Sequence, residues 1–328
     1  MKEYNVGVIG ATGLVGKMIL NILDEYNFPI RNLYLFASEN SCGKEVYYKD
    51  RKYKISKLSV EAIKNIDIAF FAASGEVSKE WCPRFIANGS IVIDNSSYFR
   101  MDDNCSLIVP EVNFSDVKLD QIISNPNCST IQSVICLNQL KRYKIKRIIY
   151  TTFQAVSGSG YKGILDLENN TQTYFPYKIK ETCIPQIDIF LDNGYTKEEM
   201  KMINETKKIL KLDNVVINTT CVRVPILNGH AVSVIIDIEE DVSINDIKES
   251  FTKQEGLVIL DDIKKGLYPT TLNSNGNDNV YIGRIRKDIH NSKTLMFYCV
   301  SDNLRRGAAF NAVMIAKKII EKGIATKN

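Results

Sequence analysis

The sequence has few of the residues that mark metal-binding or disulfide-bonded proteins. Its 328 residues include two histidines and one tryptophan, and its eight cysteines lie far apart. No two cysteines form a Cys-x-x-Cys pair, which argues against a zinc site or a dithiol redox motif. In a reducing compartment most of these thiols are expected to be small buried apolar side chains. We predict no metal site.

Long apolar runs and concentrated charge are also missing. No run approaches the length of a bilayer span, and residues 1–4 lead directly into an apolar strand rather than a signal peptide. The net charge is +4, and the densest basic groups, residues 49–54 and 284–287, are short. Such groups are typical of a solvated face rather than a nucleic-acid site. We therefore predict a soluble cytoplasmic protein that binds neither membrane nor nucleic acid.

The order of apolar segments predicts an α/β protein with two domains. In the first part short apolar runs alternate with helical patterns, as in a parallel, doubly wound sheet. The predicted strands are residues 4–9, 33–36, 66–71, 90–93 and 121–123, with a helix over 14–26. From Ile148 the strands become longer and two-periodic, which predicts an α+β domain with a mostly antiparallel sheet.

Local signals complete the second part of the chain. Asn228-Gly229 separates the strands predicted over 215–224 and 231–238, and this dipeptide is a strong hairpin signal. The Asn/Gly-rich residues 273–279 predict a loop, and residues 304–322 predict a final helix.

Glycines stand at positions 10, 13 and 16, directly after the first strand and at the start of the first helix. Glycines there allow a tight turn and a close approach of the backbone to a pyrophosphate on the helix N-terminus. The spacing departs from Gly-x-Gly-x-x-Gly, so the alternative is a glycine-rich turn of another α/β protein. The position between strand and helix favours a Rossmann-like nucleotide-binding domain.

Cys128 has the setting of a reactive thiol. Pro126 disfavours helix at Asn125, so the helix patterned over 131–140 is predicted to begin near Asn127 or Cys128. A cysteine at a helix N-terminus faces the positive end of the helix dipole, which lowers its pKa and favours the nucleophilic thiolate. The other seven cysteines fit a buried structural role better.

The candidate base for such a nucleophile is His230 or His290. In an ideal two-residue hairpin Leu227 pairs with His230. Arg223 lies four residues before Leu227 and therefore shares that sheet face. The Cα atoms of Arg223 and His230 would then lie about 13 Å apart along the strand. Two long side chains could bracket a small anion across that span. Pro225 makes the ideal pairing doubtful and suggests an edge strand or bulge. The alternative is a solvated hairpin.

A capping box predicts a helix from Thr196, with Glu199 at its third position. Glu198 and Lys201 lie three residues apart and therefore on one face. Spacing alone favours a surface ion pair that stabilises little.

Together these segments resemble the aspartate-semialdehyde dehydrogenase family along nearly the whole chain. The matching segments are residues 94–101, 109–113, 124–130, 154–160, 184–188, 223–225, 229–230, 283–288 and 301–307. The most specific are residues 124–130 and 154–160. Several such segments in the right order make a chance match very improbable.

The resemblance implies a role for each matched polar residue. Cys128 would be the acyl-thioester nucleophile, His230 the acid/base, and Gln154 would orient the acyl group. Substrate would be held by charged and polar residues: Arg223 for the carboxylate, Glu198 for the ammonium group, and Arg100, Asn127 and Lys201 for the phosphate. This reverses the surface interpretation of Glu198.

The resemblance also implies NADP as cofactor. The pyrophosphate contacts would come from Gly10, Thr12, Gly13, Leu14 and Val15. The 2′-phosphate end would meet Ser38, Asn40 and Ser41, and the nicotinamide end Ser157, Gly158 and Asn303.

Cofactor choice is where the sequence departs from the family. Relatives commonly carry arginine where Asn40 stands, and that guanidinium would bind the 2′-phosphate. Asn40 brings no charge, and Glu39 adds a carboxylate better suited to a ribose 2′-hydroxyl. Lys44 is a substitute cation. We expect NADP as the first cofactor with unusually good use of NAD.

The implied reaction is reductive dephosphorylation of L-aspartyl 4-phosphate to L-aspartate 4-semialdehyde, in lysine, diaminopimelate, threonine and methionine biosynthesis. The predicted domains are 1–127 with 304–328 for NADP and 128–303 for catalysis and dimerisation, in a homodimer or homotetramer. The alternatives are N-acetylglutamyl-phosphate reductase, disfavoured by Glu198, and glyceraldehyde-phosphate dehydrogenase, which lacks these motifs. A third is a non-catalytic nucleotide-binding protein, disfavoured because Cys128, Gln154, Arg223 and His230 are all present.

Overall fold

The structure, a computed structural model, describes residues 2–323. The chain divides into two compact units. One comprises the residues up to Pro126 together with those from Ala308, and the other runs from Asn127 to Gly307. The predicted domain limits and the tasks assigned to each domain stay predictions.

A parallel sheet forms the first unit. The strands in this part are β1 (Tyr4–Ile9), β2 (Ile30–Phe36), β3 (Glu45–Tyr48), β4 (Arg51–Lys54), β5 (Ile68–Phe71), β6 (Ile91–Asp94), β7 (Ser106–Leu107) and β8 (Ile123–Ser124). Among the described residues, six of them form one sheet in the order β2-β1-β5-β6-β8-β7, with every pairing parallel. The other two, β3 and β4, form an antiparallel hairpin.

Helices cover both faces of this sheet. The helices before residue 127 are α1 (Leu14–Glu25), α2 (Val60–Ile63), α3 (Gly75–Ala87) and α4 (Pro110–Asn113). Alternate residues of a strand point to opposite faces. Val8 and Phe70 accordingly belong to the core that includes α1, whereas Ile9 and Phe71 belong to the core that includes α2 and α3. The predicted doubly wound parallel sheet is confirmed.

The glycine turn after β1 lies where the strand order reverses, with β2 on one side of β1 and β5 on the other. Gly10 has φ +84°, and a Cβ there would lie 2.2 Å from the carbonyl oxygen of Ala72. A Cβ on Gly16 would lie 2.2 Å from the carbonyl oxygen of Gly10. Only glycine allows α1 to begin this close to the strand, and ligands of such sheets bind at the carboxyl ends of the strands near this point.

A mixed sheet forms the second unit. Its strands are β9 (Ile145–Gln154), β10 (Val216–Arg223), β11 (His230–Ile238), β12 (Leu257–Ile259), β13 (Val280–Lys287) and β14 (Thr294–Ser301), in the order β10-β9-β11-β14-β13-β12. The helices from here onward are α5 (Cys128–Asn138), α6 (Gly160–Asn169), α7 (Lys197–Leu210), α8 (Ile244–Thr252), α9 (Thr271–Ser274) and α10 (Asn311–Glu321), the last in the first unit. The three central pairings are antiparallel and the two outer ones are parallel. This agrees with the predicted α+β domain.

The predicted hairpin at Asn228-Gly229 is wrong, because β9 lies between β10 and β11. Beyond β10 the chain continues to pair with the segment that follows β9. Val156 and Ser157 donate their backbone N–H groups to the carbonyls of Ile226 and Leu227, at 2.9 Å and 3.2 Å. The chain then passes to the other edge of β9 and returns as β11. The dipeptide gives a turn, but the partner of each strand comes from a distant segment.

Two further local predictions need correction. Residues 273 and 274 belong to the short helix α9, which has a capping box between Thr270 and Asn273, rather than to a loop. The final helix is also shorter than predicted, since Arg305–Phe310 forms wider π-type turns and α10 begins at Asn311. Within residues 2–323, no helix has the length and apolar character needed to cross a membrane.

Candidate active site

Cys128 is the first residue of α5, as predicted, and it is partly exposed. Asn127 caps this helix, with its side-chain oxygen accepting hydrogen bonds from the N–H groups of Ser129 at 3.0 Å and Thr130 at 3.2 Å. The cap occupies these two amides. The thiol itself lies at the positive end of the helix dipole, which favours its thiolate form.

The remaining cysteines fall into two groups. Five are buried as expected: Cys82, Cys105, Cys136, Cys221 and Cys299. Burial raises the thiol pKa of Cys82, Cys136 and Cys221. The prediction of burial is wrong for Cys42 and Cys183, which are exposed because each lies in an irregular connection outside a core.

Gln154, Arg223 and His230 come together at the ends of three adjacent strands. Arg223 pairs with Gln154 in the register of β10 and β9, and Ala231 pairs with Phe153 in that of β11 and β9. A Cβ on Gly158 would lie 3.0 Å from Nη1 of Arg223 and 3.3 Å from Nε2 of His230. The predicted span along one hairpin is therefore wrong, because the two residues flank β9 and their side-chain ends converge.

His230 is fully buried, and its ring orientation is fixed by the backbone. Nδ1 accepts a hydrogen bond from the N–H of Ala155 at 3.1 Å. A backbone N–H can only donate, so the proton of the neutral ring is on Nε2, which has no hydrogen-bond partner among the described residues. Burial, and then the charge of Arg223, lower the pKa of His230 to about 3. The ring is thus a neutral hydrogen-bond donor at Nε2.

Arg223 is a buried cation whose N–H donors are only partly used in hydrogen bonds within the protein. Its Nη1 donates to the carbonyl of Ala155 at 2.6 Å, whereas its Nε has no partner among residues 2–323. Burial lowers the pKa of Arg223, and the negative charges of Glu198 and Cys128 oppose that shift. A buried guanidinium with an unsatisfied N–H is suited to an anionic ligand.

Glu198 is a buried carboxylate that joins three elements. Its Oε1 accepts hydrogen bonds from Nδ2 of Asn127 at 2.8 Å and Nε2 of Gln154 at 3.0 Å, and its Oε2 from Nζ of Lys201 at 3.1 Å. Burial alone would raise the pKa of Glu198, but the Lys201 charge and the hydrogen bonds lower it to about 2. The surface-pair interpretation is wrong, since Glu198 is only 5% exposed.

Lys201 has a second anionic partner that the sequence did not indicate. Its Nζ donates to Oδ2 of Asp188 at 3.0 Å. Burial would lower the pKa of Lys201, but Glu198 and Asp188 raise it. An ammonium group has three N–H donors, so one remains after these two bonds. The contact of Asp188 depends on the tertiary fold, and no local pattern reveals it.

Glu205 is a further buried carboxylate that sequence reasoning missed. Its Oε2 accepts a hydrogen bond from the backbone N–H of Asn127 at 2.6 Å. Together with the Glu198 contact, this hydrogen bond fixes Asn127, the residue before Cys128, through both its backbone and its side chain. Glu205 lies seven residues after Glu198 and therefore on the same face of α7. That spacing was the available signal.

Asn303, Ser157 and Gly307 complete the surroundings in the second unit. Oδ1 of Asn303 accepts a hydrogen bond from the N–H of Gly229 at 2.8 Å, and its Nδ2 donates to Oγ of Ser157 at 2.9 Å. A Cβ on Gly307 would lie 2.7 Å from Cβ of Cys128. Gly307 lies within a matched segment, but its close approach to Cys128 was not predicted.

The remaining candidates belong to the first unit. Arg100 is buried, and its Nη2 donates to the carbonyl of Asn95 at 2.8 Å. The predicted phosphate-binding set is thus divided between the two units. The 3₁₀ turn Glu39–Ser41 follows β2 and is largely exposed, and Glu39 forms an ion pair with Lys57.

The start of α1 fits a nucleotide pyrophosphate. Its N-cap is Gly13, which provides no side-chain cap, and the described first turn carries no acidic residue. An uncapped N-terminus of a twelve-residue helix attracts an anion through its amides and its dipole. The close packing at Gly10 and Gly16 brings this end directly to the edge of the sheet.

Residues 5–120 match the family described as semialdehyde dehydrogenase, NAD binding domain, and residues 137–306 match semialdehyde dehydrogenase, dimerisation domain. The chain belongs to the semialdehyde dehydrogenase family. Among its relatives, the aspartate-semialdehyde dehydrogenase of Aquifex aeolicus is 43% identical over 337 residues, which cover 98% of this chain and 99% of that protein. That of Bacillus subtilis is 42% identical over 338 residues, covering 97% and 98%.

Solved structures agree with this assignment. Aspartate semialdehyde dehydrogenase II of Vibrio cholerae, complexed with ASA, is 38% identical with a TM-score of 0.93, covering 98% of this chain and 99% of that one. A probable aspartate-semialdehyde dehydrogenase of Pseudomonas aeruginosa is 26% identical with a TM-score of 0.91, covering 98% and 99%. The predicted family and fold class are confirmed. This member of the semialdehyde dehydrogenase family is an oxidoreductase with a nicotinamide-cofactor domain.

We predict that Gly307→Ala impairs the reactivity of Cys128 more than the stability of the fold. The added methyl group must displace Cys128, whose Cβ and Cα would lie 2.7 Å and 3.1 Å away. Overpacking of this kind costs about 1–3 kcal/mol of stability. Urea unfolding should show that loss, while turnover and the alkylation rate of Cys128 should fall at least about tenfold. Unchanged alkylation and turnover would mean that the contact is tolerated.

We predict that His230 makes the protein acid-sensitive. Its folded pKa of about 3 lies below the ordinary 6.5, so the unfolded chain binds more protons between these values. The stability present above the unfolded pKa is then lost as the pH falls toward 3. In His230→Asn, whose Oδ1 can still accept the Ala155 N–H, the melting temperature should fall less between pH 6.5 and 4.5.

The matched control for this measurement is His290→Asn, because the chain has two histidines and His290 is exposed. Its melting temperature should follow the wild-type pH dependence. Equal slopes for the wild type and His230→Asn would contradict the buried neutral state of His230.

Proposed function

We propose that the protein catalyses the NADP-dependent reductive dephosphorylation of L-aspartyl 4-phosphate to L-aspartate 4-semialdehyde through a thioester on Cys128. The strongest support is the convergence of Nη1 of Arg223 and Nε2 of His230 at Gly158, in the unit whose helix α5 begins at Cys128. Each of these side chains also has a buried N–H without a partner among the described residues, Nε of Arg223 and Nε2 of His230. Family membership and relatives named aspartate-semialdehyde dehydrogenase give independent support. The second domain would provide catalysis and the first cofactor binding.

The substrate has three charged groups, and each has a proposed partner of opposite charge. Arg223 binds the carboxylate in a bidentate pair through its available donors. Glu198 accepts a hydrogen bond from the ammonium group. Three of its roughly four acceptor positions are used within the protein, which leaves one for this contact. The third donor of Lys201 binds the phosphate, together with Arg100 and Asn127. An acetylated amine would leave Glu198 without this partner, which disfavours N-acetylglutamyl phosphate.

Acylation begins with the Cys128 thiolate. The dipole of α5 and the Arg223 charge stabilise it, since His230 has its Nε2 proton in place and no vacant acceptor there. The sulfur attacks the acyl carbon, the C–S bond forms, and the C–O bond to phosphate breaks with its electron pair leaving on phosphate. Gln154 orients the acyl group, because its own amide is held by Glu198.

Reduction then converts the thioester to a thiohemiacetal on Cys128. The chemistry that a nicotinamide cofactor supplies when bound is hydride transfer. His230 stabilises the developing oxyanion by donating a hydrogen bond from Nε2, and the proton stays on the ring because its loss would leave an imidazolate. When the C–S bond breaks, the aldehyde is released and Cys128 regains its thiolate.

The cofactor contacts remain a proposal on the same basis. Pyrophosphate would bind the amides at the start of α1, with Gly10, Thr12, Gly13, Leu14 and Val15 around it. The 2′ end would meet Ser38, Asn40 and Ser41, and the nicotinamide end Ser157, Gly158 and Asn303. NADP is the proposed first cofactor, with appreciable use of NAD.

We further propose that two copies associate through the second sheet, as a dimer or as half of a tetramer. One face of this sheet is buried under helices, as the hydrogen bond between Tyr150 and Thr206 of α7 indicates. The opposite face has partly exposed apolar side chains on three adjacent strands: Ile149, Phe153, Ile235, Met296 and Tyr298. A second copy of this face would cover them, in keeping with the family's dimerisation domain.

We predict that Cys128→Ala abolishes turnover while the fold and NADP binding persist, because only the nucleophile is removed. The assay is phosphate-dependent reduction of NADP with aspartate semialdehyde, with acetylglutamate semialdehyde as the rival substrate. Cys183→Ala, at an exposed cysteine, is the matched control and should keep wild-type turnover. Peptide mapping after alkylation should identify Cys128 as the substrate-protected thiol; faster labelling of Cys183 without such protection would refute the assignment.

We predict that Glu198→Gln raises the KM for aspartate semialdehyde by about 10- to 100-fold, because a charge-assisted hydrogen bond contributes about 1.5–3 kcal/mol. Succinic semialdehyde has the same chain length without the ammonium group and serves as control. The wild-type preference for the aminated substrate should largely disappear in the variant. Equal losses with both substrates would indicate that Glu198 supports the site without binding ammonium.

A further inference from the structure

The chain that follows β4 lies against the end of β2. The N–H of Ser56 donates to the carbonyl of Leu35 at 2.9 Å, and the N–H of Ala37 donates to the carbonyl of Ser56 at 3.4 Å. Lys57, the next residue, therefore lies beside the 3₁₀ turn Glu39–Ser41 that follows β2. Its ammonium group donates to the Glu39 carboxylate on that turn, and the two side chains are 64% and 75% exposed.

This turn has a general function in parallel dinucleotide-binding sheets. An acidic residue past the glycine turn binds the ribose 2′-hydroxyl of NAD, whereas a nearby cation accommodates the 2′-phosphate of NADP. An unpaired Glu39 would repel a phosphate group. The ion pair with Lys57 lowers the pKa of Glu39 and keeps it charged but compensated. One donor of Lys57 is used in this pair, so two remain.

We propose that Lys57 is the cation that binds the 2′-phosphate of NADP, and that Glu39 competes for it and so sets the balance between NADP and NAD. This rests on the proposed function only in requiring a nicotinamide dinucleotide on the first unit. Bound NADP shares the ammonium with Glu39. Bound NAD leaves the ion pair intact, and the carboxylate accepts from the ribose hydroxyl.

Lys44, the cation indicated by the sequence, is attached to the turn in a different way. Its backbone N–H donates to the carbonyl of Ser41 at 3.2 Å, and its carbonyl accepts from the N–H of Ile55 at 2.8 Å. Lys44 thus contacts the turn through its backbone, whereas Lys57 contacts it through its charge. An exposed ion pair stabilises little on its own, so Lys57 can be shared with a ligand at small cost.

The test measures binding rather than turnover. The probes are adenosine 2′,5′-bisphosphate, which has the 2′-phosphate, and 5′-AMP, which lacks it, each titrated calorimetrically into the full-length protein. Lys57→Met should weaken the bisphosphate at least about tenfold and leave 5′-AMP within about twofold. Glu39→Gln should tighten the bisphosphate severalfold, because the competing carboxylate is removed. Lys44→Met is the matched control and should change neither ligand.

Salt provides a second readout that a structural defect would not reproduce. Raising the ionic strength should reduce the preference for the bisphosphate in the wild type and have little effect in Lys57→Met. Equal weakening of both probes by Lys57→Met, or loss of the preference in Lys44→Met instead, would overturn the assignment of Lys57. Weaker binding of the bisphosphate by Glu39→Gln would overturn the proposal that Glu39 competes with the 2′-phosphate for Lys57. A wild-type protein that binds neither probe nor NADPH would instead contradict the proposed function.

Discussion

The buried carboxylate of Glu198 is the constraint on which the rest of the site depends. A charge removed from water must be paired and hydrogen-bonded. Glu198 meets this requirement with donors from three elements: Asn127 at the start of α5, Gln154 at the end of β9 and Lys201 on α7. The carboxylate therefore connects the helix that begins at Cys128, the end of strand β9 and the helix that bears Lys201.

The sequence predicted features that depend on neighbouring residues and missed those that depend on distant segments, such as the position of β9 between β10 and β11. Alternation of apolar residues predicted the strands, and Pro126 with Asn127 predicted the start of α5, because these signals act within a few residues. The hairpin failed because Asn-Gly specifies a turn and not the partner of each strand. The contacts of Glu205, Asp188 and Gly307 join segments distant in sequence, and no local pattern specifies such pairs. Glu198 was recognised only through family resemblance, since its spacing from Lys201 is also typical of surface pairs.

The neutral, buried ring of His230 is suited to only one of two tasks, removing a proton from a thiol and donating a hydrogen bond to an oxyanion. A ring whose Nδ1 accepts from Ala155 has no vacant acceptor at Nε2, so it cannot remove a proton from Cys128 in this arrangement. Its burial and the neighbouring Arg223 keep it neutral. In the proposed reaction the Cys128 thiolate is therefore stabilised by the helix dipole and by cations, while the imidazole acts later on the oxygen. Stabilisation of the thiolate and stabilisation of the oxyanion would thus be divided between an electrostatic field and a side chain.

Carboxylate–lysine pairs occur in both units, and their burial determines what each can do. The Lys201 side chain is 23% exposed between Glu198 and Asp188, so its charge interacts in a low dielectric and its direction is fixed by two partners. That setting suits a substrate that must be held in one orientation for attack. The pair of Lys57 and Glu39 is largely exposed, and its interaction is screened by salt and stabilises little. A weak, movable pair suits a choice between two cofactors that differ by one phosphate, because a small difference in free energy then decides which one binds. On this argument a single substitution at the exposed pair changes cofactor preference, whereas a substitution at the buried pair impairs the binding of substrate.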